Sequence, residues 1–191
     1  IVDSSKRPAR ALALSMIPGI DVRLIHLIRD VRGVVWSAKK RLKQDERGGV
    51  SNEDRGKTLV RSALVWNIIN SLSERVCRRL PASHTVQVRY EDYVTRPLDV
   101  LDRIGDAADL DFSAVGAKLT AGVPLEIGHT IAGNRMRMAT EIRLRADTQW
   151  MTRLSPWERR VCWALACRQL KRYGYQPNAT VDATSSAEKA A

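Results

Sequence analysis

The stretch LIHLIRDVRGVVWSAKKRL, residues 24–42, changes character at Arg29. From Val22 to Ile28 the chain is mostly apolar and β-prone, without the clean alternation of a half-exposed strand. Such a run reads as a strand buried on both faces, the habit of a parallel sheet. Asp30 is a good N-cap, and the sequence after it predicts a helix through VVWSAKKRL to about Lys43. Arg29 therefore stands where a buried strand gives way to a helix. In open α/β sheets ligands bind beyond the carboxyl ends of the strands, and helix N-termini there favour anions. A guanidinium at that junction can grip a phosphate with two parallel hydrogen bonds. The hydroxyl of Ser37, within the first turns of the helix, can reach the same group. The same two residues also suit a plainer arrangement, with Arg29 paired to a nearby carboxylate and Ser37 an ordinary helix residue.

Outward from this junction the pattern repeats. IVDSS (1–5) reads as a short strand, and RPARALALSMIPG (7–19) as a helix stopped by Pro18-Gly19. Residues 44–56 form a polar, glycine-containing loop. The longest helix is expected from Lys57 to Leu80, with Leu59, Val60, Ala63, Leu64, Ile68, Leu72 and Val76 near a 3.6-residue period. HTVQVRYED (84–92) reads as a strand in which Val86, Val88 and Tyr90 share one face, and Pro97 opens a helix. Ser155-Pro156-Trp157-Glu158 is a capping box leading a helix to Tyr173, closed by Gly174. Strands alternating with helices indicate an α/β fold with a parallel sheet and right-handed crossovers.

Composition narrows the class. The 191 residues are 44% hydrophobic and 28% charged, ordinary for a globular protein. No apolar run approaches the ~18 residues of a membrane span. Three cysteines, Cys77, Cys162 and Cys167, lack metal-ligand spacing, argue against a disulfide scaffold, and suit a reducing, cytoplasmic setting. All three fall in amphipathic helical patterns, where Cys acts as a small hydrophobe. The net charge of +11 points to anionic partners.

Several motifs occur together and in order: DSSK-x-P at residues 3–8, RD-x-R-x-x-x-x-S at 29–37, V-x-YED at 88–92, GN-x-x-R at 133–137 and KRYGY at 171–175. In that combination the chain resembles the sulfotransferase family, which transfers sulfuryl from 3'-phosphoadenosine 5'-phosphosulfate (PAPS) to a hydroxyl or amine. The resemblance extends over residues 1–177 and is closest to bacterial and carbohydrate-type members. It implies a three-layer P-loop NTPase-like fold with a central parallel sheet, in one domain over 1–177, followed by a disordered tail at 178–191. By resemblance, Arg29 and Ser37 bind the 3'-phosphate of PAPS, and Lys6 is the catalytic lysine near the sulfuryl group. Tyr90 approaches the adenine, and Gly133, Asn134, Arg135 and Arg137 fold over the cofactor. The family's second position after the lysine, a histidine in some members, is Pro8 here. No metal is implied.

Family members normally carry a Gly/Ser/Thr-rich loop for the 5'-phosphosulfate, and these residues hold neither that loop nor a GxxxxGK[ST] motif. The expectation is a sulfotransferase-like domain truncated at its N-terminus, with the 5' clamp and the general base upstream of residue 1. Its partner is a sulfate acceptor, carbohydrate or small-molecule hydroxyl, with an acceptor pocket built from residues 44–56 and 116–128. Two alternatives remain: a fragment of a P-loop nucleotide kinase, and an inactive basic domain binding nucleotide or nucleic acid. Nucleic acid is the less expected partner, because no aromatics interleave with basic residues on the strands.

Overall fold

The computed structural model describes residues 1–4, 7–47, 55–126, 141–142, 144 and 146–178. Its order is α1 (Pro8–Ser15), β1 (Leu24–Ile28), α2 (Val31–Arg47), α3 (Arg55–Cys77), a 3-10 turn at Ala82–His84, β2 (Thr85–Arg89), α4 (Tyr90–Thr95), α5 (Pro97–Ala108), α6 (Ser113–Thr120), β3 (Leu125–Glu126), β4 (Glu141–Ile142), α7 (Gln149–Arg153) and α8 (Pro156–Arg172). The α/β class expected from the sequence is the one observed, with β1 and β2 hydrogen-bonded as a parallel pair and β3 and β4 antiparallel. Two compact units share the chain: residues 1–27 with 73–146, and residues 28–72 with 147–191.

In the first unit, β2 buries Val86 and Val88 against Val100 and Ala107 of α5, with Tyr93 and Ile104 alongside. Pro97 at the first position of α5 fixes the backbone for a helix start, and Asp109, in the left-handed region at φ 55°, ends it. Two expectations change here. IVDSS forms no strand over its described residues, and Ile1 and Val2 are fully exposed. Without a neighbouring strand, a short β-prone run has nothing to satisfy its backbone. Moreover, β1 is not buried on both faces: His26 and Ile28 are inside while Ile25 and Leu27 are largely exposed. Apolarity alone could not reveal which face a helix covers.

The second unit gathers around the end of β1. Ile28, Val31 and Val35 pack with Leu59, Ala63 and Trp66 of α3 and with Cys162, Ala166 and Leu170 of α8. α8 begins with the anticipated capping box, Ser155 Oγ accepting from Glu158 N at 3.2 Å and Glu158 Oε2 accepting from Ser155 N at 2.9 Å. It ends before Gly174, whose φ of 78° is the left-handed turn that a side chain would strain. Cys162 is a packing group, as its helical pattern suggested. Burial, with the Asp30 carboxylate nearby, pushes its thiol up to about 12. α3 departs from the periodic expectation. Leu59, Ala63, Trp66 and Val76 are buried, while Val60, Leu64, Ile68 and Leu72 are exposed. The helix is apolar around most of its circumference, so periodicity did not single out the inward stripe.

The strongest polar feature of this unit is a buried pair at the start of α2. Asp30 Oδ1 accepts from Arg32 N at 2.8 Å, the N-cap bond foreseen for Asp30. The same carboxylate receives the Arg32 guanidinium, Nε at 2.9 Å on Oδ1 and Nη2 at 2.6 Å on Oδ2. The remaining donors reach the C-terminal segment, Nη1 to Pro177 O at 2.7 Å and Nη2 to Gln176 O at 2.9 Å. Trp150 and Trp163 enclose the guanidinium, with its carbon 4.5 and 5.6 Å from their ring centroids. Side-chain exposure is 2% for Arg32 and 3% for Asp30, so neither charge has water to fall back on. Arg32→Met is expected to destabilise the chain by about 3–5 kcal/mol, because it strands a buried carboxylate. A urea-unfolding midpoint close to that of the parent would contradict this account.

Candidate functional site

The site is built on the turn between β1 and α2. Two aromatic side chains pin its backbone: Tyr175 Oη donates to Ile28 O at 3.4 Å, and Trp66 Nε1 donates to Arg29 O at 2.9 Å. The Asp30–Arg32 pair fixes the next residues, so Arg29 leaves a rigid turn. Its side chain lies back over the first turn of α2. A Cβ on Gly33 would come within 2.9 Å of Arg29 Nε, so glycine is what lets the guanidinium rest there. Gly33, Ser37 and Lys40 follow at i, i+4 and i+7 and line one face of α2. Ser37 is half-buried on that face.

Among the described residues, one carboxylate meets this face. Asp147 Oδ2 lies 3.0 Å from Arg29 Nη2 and 3.8 Å from Lys40 Nζ, and Asp147 O accepts from Arg29 Nη2 at 3.3 Å. Its other oxygen accepts from Gln149 N, the first residue of α7, at 3.3 Å. Gln149 Oε1 in turn accepts from Lys40 Nζ at 3.2 Å and from Trp36 Nε1 at 3.4 Å. Partial burial works to raise the Asp147 carboxyl, but Arg29, Lys40 and the Gln149 N–H outweigh it and hold it below the ordinary carboxylate range. The next lysine along, Lys39, pairs with Glu158 of α8 and ties α2 to that helix.

Of the two arrangements open for Arg29 in the sequence, the structure shows the ion pair. Arg29 does pair with a carboxylate, and it does so on the face that carries Ser37. Asp147, Lys40 and Gly33 were not singled out from the sequence. Gly33 falls within the quoted 29–37 motif. Asp147 precedes a helix, which signals a local cap but says nothing of a tertiary partner 118 residues away.

Tyr90 lies in the first unit and is the first residue of α4 rather than part of β2. The strand stops at Arg89 because Glu91 and Asp92 favour a first helical turn, and Asp92 pairs with Arg89 at 3.7 Å and Arg96 at 3.4 Å. Trp150 is buried beneath Arg32. Lys6, Gly133, Asn134, Arg135 and Arg137 lie outside the described residues, as do residues 179–191 of the expected tail. Among the described residues no group of His, Cys, Asp and Glu is arranged to hold a metal ion, and no helix is long and apolar enough to cross a membrane.

The sulfotransferase family model matches residues 12–114, more than half of the chain and inclusive of the β1–α2 turn. The chain belongs to the sulfotransferase family. Among solved structures, this sulfotransferase-family chain is similar to the sulfotransferase domain from the curacin biosynthetic pathway, with a TM-score of 0.58 at 18% identity over 90% of the chain. The chain spans 59% of that domain. At this identity the likeness is one of fold, and it agrees with the α/β architecture above. No curated protein matches the chain significantly.

The role of Gly33 in this sulfotransferase-family chain can be separated from folding. Gly33→Ala should leave the melting temperature unchanged or raise it, since alanine in a helix is favoured by about 0.5–1 kcal/mol. The same change should displace the Arg29 guanidinium and move its Nε–Hε resonance in a nitrogen–proton NMR spectrum. An unmoved Arg29 resonance would show that the side chain does not depend on the missing Cβ.

Proposed function

We propose that the chain carries the 3'-phosphate-binding part of a sulfotransferase that uses PAPS and delivers sulfuryl to an acceptor hydroxyl or amine. The observation that carries this reading is the placement of Arg29. Its guanidinium issues from the carboxyl end of a parallel strand and lies along the helix face that presents Ser37, in a chain of the sulfotransferase family. Arg29 is always charged and Ser37 is a neutral donor, so together they suit a phosphate dianion.

In the transfer, the acceptor oxygen or nitrogen attacks sulfur and loses its proton to a base. The bond from sulfur to the bridging phosphate oxygen breaks, and adenosine 3',5'-bisphosphate departs. Lys6 would offset the charge that builds on the bridging oxygen. Arg29 and Ser37 would hold a phosphate whose charge does not change in the reaction, so they anchor rather than activate. Tyr90 would meet the adenine. Gly133, Asn134, Arg135 and Arg137 would close over the nucleotide, glycine allowing backbone approach and the arginines donating to the phosphates. The acceptor is a carbohydrate or a small-molecule hydroxyl. A cytoplasmic setting suits the three free cysteines.

Calorimetric titration with adenosine 3',5'-bisphosphate, against 5'-AMP as control, tests the assignment. The bisphosphate should bind more tightly, and Arg29→Ala should erase that preference. The expected loss is about ten- to a hundredfold, the worth of a charge-assisted contact. Equal affinity for the two nucleotides in the parent chain, or a preference that survives Arg29→Ala, would overturn the reading.

A further inference from the structure

Asp147 is the one acidic group among the described residues that touches the Arg29 guanidinium and also lies within ion-pair distance of a second cation of the same helix face. Its Oδ2 is 3.0 Å from Arg29 Nη2 and 3.8 Å from Lys40 Nζ. Arg29 rests over Gly33, and Lys40 lies two turns further along, with Ser37 between them on that face. The carboxylate oxygen therefore lies between the two cationic side-chain ends, where an anion held by both would sit. Among the described residues, one carboxylate there faces two cationic side chains.

Resting on the PAPS reading above, we propose that Asp147 is an internal stand-in for the 3'-phosphate, exchanged for it on binding, and that Lys40 is a further phosphate ligand of the same site. A phosphate dianion meets two cations with charge to match, which a single carboxylate does not. Release of the carboxylate also unties α7, because Asp147 Oδ1 accepts from Gln149 N and Gln149 Oε1 accepts from Lys40. Occupation of the 3' site is thereby coupled to the position of residues 147–149. The stand-in sets specificity too. A ligand lacking the 3'-phosphate cannot displace it and finds Arg29 already engaged.

Asp147→Asn keeps the size of the side chain and its acceptor for Gln149 N while removing the charge. Titrated with adenosine 3',5'-bisphosphate, this variant should bind about two- to fivefold more tightly than the parent, the factor that a single lost ion-pair competitor represents. Its affinity for 5'-AMP should not change. Lys40→Gln should bind the bisphosphate about tenfold more weakly, again without effect on 5'-AMP. Both variants should retain the circular dichroism spectrum and melting temperature of the parent. Asp147→Ser serves as the replacement should Asn fail to fold, with the same expected gain. Bisphosphate affinity equal to or below the parent's in the Asp147 variants would overturn the exchange, since a carboxylate that only orients Arg29 would weaken binding when lost. An unchanged affinity in Lys40→Gln would remove Lys40 from the site. If the parent and the variants alike show no preference for the bisphosphate over 5'-AMP, the PAPS reading itself fails, and the exchange with it.

Discussion

The ion pair between Asp30 and Arg32 is the constraint on which the second unit depends. Two charges at 2% and 3% exposure are tolerable only with every strong contact satisfied. The surroundings supply those contacts from distant parts of the chain: the carbonyls of Gln176 and Pro177, and the rings of Trp150 and Trp163. One guanidinium thus joins the start of α2 to α7, to α8 and to the segment after α8. The Asp30 carboxylate caps α2 at the same time, so helix initiation and tertiary closure share a single group.

That rigidity bears directly on Arg29. Its neighbours on both sides are locked, by Tyr175 and Trp66 on the carbonyls of residues 28 and 29 and by the buried pair immediately after. The backbone gives Arg29 little freedom, and its long side chain takes its direction from Gly33 and Asp147. An arginine held this way loses less conformational entropy on meeting an anion than one free in solution. The charges at the β1–α2 turn and along α2 are also sorted by depth. Arg32 is sealed in the interior, whereas Arg29 and Lys40 remain partly exposed around a carboxylate that water and ligands can reach.

Much of this was legible in the residues. The break at Arg29 marks the strand-to-helix junction because apolar β-prone residues and a capping Asp are local signals. The capping box at Ser155, the Pro97 start and the Gly174 stop are equally local, and each lies where the sequence put it. Tyr90 shows the limit of such signals. The sequence reading carried the strand three residues too far, to Asp92, because the acidic first turn of α4 competes for the same positions. The apolar helix α3 shows another limit: with hydrophobic residues on nearly every side, Leu64 and Ile68 looked as suited to the core as Leu59 and Ala63.

Local patterning by itself determined the α/β class and the position of the strand-to-helix turn at Arg29. Those depend on backbone propensity, capping and the chemistry of single side chains, all of which act over a few positions. Only the tertiary structure decided what Arg29 touches, which charge of the RD-x-R segment is buried, and that Gly33 and Lys40 share a face with Ser37 and a carboxylate. Asp147 is 118 residues from Arg29, and Pro177 is 145 from Arg32. No local rule links residues so far apart; they meet because α7 and α8 pack on α2.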